Sequence, residues 1–239
     1  MSTDADATTT GPTGPTDAEL VRTVLSRATS LSLTTTGQTY DLIGLHSVSA
    51  QGQITLHPRP DTPLAQQAAD APLGSLAALL EFTDIAPTPL RDRVRARVTV
   101  SGWLTPAGGG ALRLDTARVS LRTPAGATDV ALDEMALAEP DPLAFEEAAM
   151  LTHMADSHEE LMHDLLGLAG SRLPHGIIRS LPLALDRHGI TLRCEYESGH
   201  CDLQLLFPGI ARDATDAGER IRQLLTAPRN CAHQHHSHP

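Results

Sequence analysis

Between about residues 30 and 135 the chain is cut by Gly and Pro into short runs in which apolar and polar residues alternate: "YDLIGLHSV", "GQITLHP", "RVRARVTVSGWL" and "ALRLDTARVSLRT". A period of two puts successive side chains on opposite faces of a pleated strand, so each run has one face to bury against a second layer. Such runs at short intervals predict a small antiparallel barrel or sandwich. The run "RDRVRARVTVSGWL" makes the two faces explicit. Val94, Ala96, Val98, Val100 and Leu104 share the apolar one, and Arg91, Arg93, Arg95, Arg97 and Trp103 share the other. One stretch inside this region, "SLAALLEF", reads as helical.

The flanking segments have other patterns. Residues 1–15, "MSTDADATTTGPTGP", are too small and polar to bury surface that would offset the entropy of ordering, and are expected to be a disordered tail. A helix is expected to follow, capped by Thr16 or Asp17, with Leu20, Val21, Val24 and Leu25 at helical spacing. Pro140 and Pro142 in "EMALAEPDPLAF" mark a boundary. The organisation expected is therefore a β-rich domain over residues 16–140, a second domain over 141–228, and a His-rich tail over 229–239. The second domain reads as a long helix from about 142 to 168, a short helix near "SRLPHGIIRS", strands in "PLALDRHGITLRCEY" and "CDLQLLF" joined by a turn at "ESGH", and a closing helix capped by Asp213 or Thr215.

Composition limits the function classes. A formal net charge of -11 argues against broad affinity for nucleic acid or anionic membrane. With aromatics at 3%, few rings are available for base stacking. The longest apolar runs fall short of the roughly 20 residues that span a bilayer, and the N-terminus lacks a signal pattern, so a cytoplasmic location is expected. Cys194, Cys201 and Cys231 lack zinc-finger spacing and read as reduced thiols. Phosphate loops, nucleophile elbows and the zinc-protease pair of histidines are absent from the sequence.

The chemistry-bearing stretch is "MLTHMADSHEELMHDLLGL". At 100° per residue Leu151, Met154, His158, Leu161, Leu165 and Leu168 fall on one face, with His158 at its centre. His153 and His163 project to either side, which on a continuous helix keeps them out of a compact metal site with His158. His158 then reads either as a core histidine with satisfied nitrogens or as a ligand or acid–base group facing a pocket, since neutral imidazole donates well to iron or zinc. Glu159 and His163 are spaced as a solvated helical pair, or as two metal ligands.

Within this stretch "HMADSH" resembles the His-Met-Asn-x-Asp-His signature of the C-terminal domain of HugZ-type haem-utilisation proteins. The segment "LDRHGITLRCEYESGHCDLQLLFPGIARDATDAGERIRQLL" is similar in order to the rest of that domain, with its Asp-x-x-Gly, strand, turn, strand, Phe-Pro and terminal helix. The resemblance spans residues 143–226, and "GLHSVS", "PDTPL" and "RVRARVTVSGWL" extend it to the split-barrel portion that precedes such domains. It implies an α+β fold: an N-terminal FMN-binding-like split β-barrel followed by a C-terminal helix-strand-helix domain, assembled as a homodimer. It also implies haem as the ligand, with His158 the carried-over contact and His153 the second. Ala155 stands where the signature has Asn, and Ser157 where it has a variable or acidic residue, so binding is expected to outlast oxygenase activity.

The resemblance leaves three functional readings. The first is a haem-binding protein whose enzymatic form is an oxygen-dependent haem-degrading oxygenase that recovers iron with electrons from an external reductase. The second is a non-catalytic haem sensor or partner-binding protein of tetrapyrrole metabolism. The third is a flavin-binding oxidoreductase holding FMN. On any of them Arg91, Arg93, Arg95 and Arg97 either grip propionates or a phosphate, or form a solvated outer face. The tail "NCAHQHHSHP" offers His233, His235, His236 and His238 as metal ligands, either adventitious or as an axial haem contact. His46 and His57 read as structural or exposed.

Overall fold

The computed structural model describes residues 14–170, 173 and 175–226. The expected disordered start, apart from its last two residues, lies outside them, as does the tail with Cys231, His233, His235, His236 and His238.

Helix α1 (Asp17–Arg27) begins at Thr16, whose hydroxyl accepts from the Glu19 N–H while the Glu19 carboxylate accepts from the Thr16 N–H. This reciprocal box satisfies donors that a helix start leaves open. Strands β1 (Ser30–Thr35), β2 (Gln38–Ile43), β3 (His46–Val48) and β4 (Ile54–Leu56) follow. Then come α2 (Pro63–Ala69), β5 (Leu76–Ile85), β6 (Val94–Pro106), β7 (Leu112–Thr123), β8 (Gly126–Val130) and α3 (Leu132–Leu137). The strands pair antiparallel in the order β2-β1-β5-β6-β7-β4-β3, with β8 on β7, and the curled sheet forms the split barrel. Its interior is filled by Leu33, Ile54, Leu80, Phe82, Val98, Val100 and Leu114, all fully buried, with Val21, Val24 and Leu25 of α1 packed against them.

The two faces of β6 are those of the sequence pattern, except that Val94 at the strand's start is exposed. The register shifts between Ser101 and Gly102, and a Cβ at Gly102 would collide with the Asp115 carbonyl, so this close approach of backbones requires glycine. The stretch "SLAALLEF" is strand β5 and not a helix. Leu and Ala favour helix locally, but Leu76, Ala78, Leu80 and Phe82 alternate with exposed or half-buried neighbours, and that period of two pairs the run between β1 and β6.

The C-terminal half contains α4 (Glu147–Ser157), α5 (Glu159–Gly167), β9 (Arg179–Asp186), β10 (Gly189–Glu195), β11 (His200–Leu206) and α6 (Ala214–Thr226). The three strands form an antiparallel sheet with β10 in the middle. A second core joins Leu143, Leu151, Met162, Leu165, Ile190, Leu192 and Ile221. The Asp213 carboxylate accepts from the Asp216 N–H at 2.8 Å and so caps α6. The short helix expected near "SRLPHGIIRS" does not form among the described residues, and Arg179 and Ser180 open β9 instead. None of the described helices is long and apolar enough to cross a membrane.

Candidate functional site

The long helix expected from about 142 to 168 is broken at His158, which has φ −134° and ψ 54° and separates α4 from α5. Asp156 and Ser157 just before the break are residues whose side chains compete for backbone hydrogen bonds, and Glu159 and Glu160 just after it favour a new helix start. The break resets the phase of the apolar stripe. Leu151, Met154, Met162 and Leu165 are buried, whereas His158 is exposed. The expectation that His158 sits at the centre of that stripe, and that His153 cannot join it, is therefore corrected: the two Nε2 atoms lie 3.1 Å apart. Their rings meet edge to face, with centroids 4.8 Å apart and planes at 86°.

Arg91 and Arg93 just before β6, and Arg95 and Arg97 within it, all have protein partners. Arg95 donates to both oxygens of Asp84, at 3.0 and 2.9 Å, to Glu147 at 2.6 Å and to the Leu183 carbonyl at 3.0 Å. Arg27 of α1 also pairs with Asp84, at 2.7 Å, and with Glu147, and Glu147 accepts in addition from the Leu185 N–H at 3.0 Å. Two guanidiniums and two carboxylates thus tie α1, β5 and β6 of the barrel to α4 and β9 of the C-terminal half. Burial alone would weaken Arg95's hold on its proton, but the Glu147 and Asp84 carboxylates outweigh it and push the pKa above its ordinary value. Arg93 donates to the Ala86 carbonyl at 3.0 and 2.7 Å, and exposed Arg97 pairs with Glu81 at 2.8 Å. Arg91 gives its N–H to Glu195 at 2.8 Å and its guanidinium to the Tyr196 carbonyl at 2.9 Å. Burial raises the Glu195 carboxyl, yet the Arg91 N–H and the Arg179 and Arg91 guanidiniums bring it below the usual value. A cavity of about 300 Å³ at this junction is lined by the same charged groups and by no histidine.

The imidazoles sit elsewhere. Beyond the end of α5 an open groove of about 430 Å³ is lined by His163, His175, Leu166, Leu173 and Ile177, with Gly167, Gly170 and Gly176 between them. Gly170 and Gly176 have φ of 56° and 89°, a backbone conformation that favours glycine, and the absence of side chains there leaves room for a flat ligand to approach the chain. The groove sets two imidazoles beside three aliphatic side chains, a mix of metal-ligating and apolar groups that a ligand site uses. His175 lay inside the segment that the sequence reads as a short helix. The signal that could have found it is the run of apolar residues and glycines between two histidines in "HDLLGLAGSRLPHGII".

Other candidates have structural partners. The His46 ring stands edge-on to Phe82 with centroids 5.6 Å apart, and His57 Nε2 meets the Ser47 hydroxyl at 2.9 Å. Cys194 and Cys201 are directly opposed across the β10–β11 hairpin as free thiols. Burial, and then the neighbouring Cys201, push the Cys194 thiol up to about 11, so it is a poor nucleophile at neutral pH. Among the described residues no group of three or more His, Cys, Asp or Glu side chains is arranged to hold a metal ion.

No family model matches the chain, and no curated protein matches it in sequence. Among solved structures it is similar to a heme binding protein from Mycobacterium smegmatis, with a TM-score of 0.58 and 18% identity over 89% of this chain and 97% of that one. The likeness is one of fold. The protein Atu2129 from Agrobacterium tumefaciens, of unknown function, aligns at 17% identity over 90% of this chain and 99% of its own, with a TM-score of 0.37. The mycobacterial match runs through both the barrel and the C-terminal half, and so agrees with the α+β split-barrel fold that the sequence implies.

Proposed function

We propose that this chain binds haem, in the groove beyond α5, with His163 or His175 offering the imidazole to iron. The observation that carries the reading is the conjunction, in one open groove, of two histidines, three aliphatic side chains and glycine backbone. Haem presents a flat apolar ring and an iron that takes imidazole, and these residues fit both demands. Two further lines support the reading: the fold is that of a protein described as heme binding, and the signature around His153 and His158 resembles that of HugZ-type proteins. In its enzymatic form the reading makes haem the substrate of an oxygen-dependent ring opening fed by an external reductase. The iron supplies that chemistry, while the chain binds and orients the ring and excludes water.

The second reading places haem on His158, as the signature implies, and the exposure of that imidazole favours it. Following the visible spectrum during a haem titration separates the two. The expected result is saturation near one haem per chain, weakened or spectrally altered by His163→Ala or His175→Ala. Loss of binding only in His158→Ala would move the site to the helix break, and a native chain with no discrete haem spectrum would end the haem reading.

The same reading includes a homodimer. Leu79 and Trp103 are 41% and 51% exposed on the outer face of β5 and β6, beside Ala77 and Ala117, an apolar patch suited to a second copy. Trp103→Asp is expected to convert a dimer into a monomer in sedimentation velocity. A native chain that already sediments as a monomer contradicts this.

A further inference from the structure

The helix break does more than expose His158. It brings two imidazole nitrogens from α4 and from the α4–α5 joint to 3.1 Å, on a part of the surface where both rings are exposed. For metal–nitrogen bonds of roughly 2.0–2.1 Å, nitrogens at that separation subtend about 100° at the metal, between the tetrahedral angle and the right angle of neighbouring octahedral or square positions. The axial positions of haem lie on opposite faces of the ring. Two nitrogens this close cannot occupy both of them, so the pair in its observed arrangement suits a metal without a porphyrin.

We propose that His153 and His158 form a divalent transition-metal site, of the kind that takes zinc or copper(II), with two adjacent imidazoles from the chain and solvent in the remaining positions. The inference goes beyond haem binding and does not depend on it. Imidazole is a preferred ligand of these cations, and the exposed Asp156, Glu159 and Glu160 adjoining in the chain add negative potential that favours a cation. In the metal-free pair one Nε2–H donates to the other Nε2. Coordination needs both lone pairs, so that hydrogen moves to Nδ1 of its own ring.

The test is zinc titration calorimetry on the full chain without haem, in a background where Cys231→Ser, His233→Ser, His235→Ser, His236→Ser and His238→Ser remove the competing donors of the tail. One zinc per chain is expected to bind. Losing an outer partner of a metal ligand already costs about 10–100-fold in affinity, so removing one of only two ligands by His153→Ala or His158→Ala is expected to weaken binding by about tenfold or more. Copper(II) bound to the background chain should show coupling to two nitrogens by electron paramagnetic resonance, reduced to one in either variant. Absence of zinc binding in the background, or equal binding in background and both variants, would overturn the proposal. Because haem is not added, neither result depends on whether the groove binds it.

Discussion

Replacing Glu147 with alanine is expected to destabilise the protein by about 3–5 kcal/mol, the cost of removing one partner from a buried ion pair. Glu147 is almost fully buried and accepts from Arg27, from Arg95 and from the Leu185 N–H. Its loss leaves two guanidiniums, each less than a fifth exposed, sharing the single carboxylate of Asp84. The cost comes chiefly from stranding positive charge away from water, not from the attraction lost. Removing a matched pair should therefore cost much less. The double variant Arg95→Met with Glu147→Met leaves Arg27 with Asp84 and fills the space with apolar side chains. Urea unfolding of the native chain and of both variants checks this. A single variant within about 1 kcal/mol of native, which is the worth of an exposed pair, would show that the junction does not hold the two halves together.

The second large effect is at Leu151, which is fully buried in the C-terminal core. Leu151→Ala is expected to cost about 2–5 kcal/mol, the transfer of the lost methyl groups plus the cavity left behind. His158→Ala, on the exposed joint seven residues later, is expected to stay within about 0.5 kcal/mol. On a continuous helix the two positions would share one buried face and both substitutions would be expensive. Thermal or urea unfolding of the two variants thus reads the break directly, and a His158→Ala loss comparable with that of Leu151→Ala would contradict it.

The contrast between these positions explains what could be read in the sequence. The faces of β6 from Ala96 onward and the Thr16 cap are set by short-range pattern, and both appear as expected. The alternating runs left a barrel or a sandwich open, because each had one face to bury; that the barrel is split was implied by the resemblance and agrees with the curled sheet. In "SLAALLEF" the same kind of signal was obscured by residues that also favour helix, and only its place between β1 and β6 decides the matter. His158 was misplaced because a fixed 100° step was carried through Asp156 and Ser157, where the chain leaves helical geometry. The partners of Arg95 were out of reach for another reason. Glu147 lies 52 residues away in the chain, and no local pattern announces a charge cluster assembled from five elements. The groove with His163 and His175 likewise depends on how the chain folds back after α5.

The most direct test of the central reading compares two double variants of the full chain in a haem titration: His163→Ala with His175→Ala, and His153→Ala with His158→Ala. If the groove holds haem, the first loses the discrete visible spectrum and the second keeps it at one haem per chain. The reverse pattern, with the spectrum intact in the groove variant and gone when the paired histidines are removed, would contradict the groove and return the ligand to the helix break.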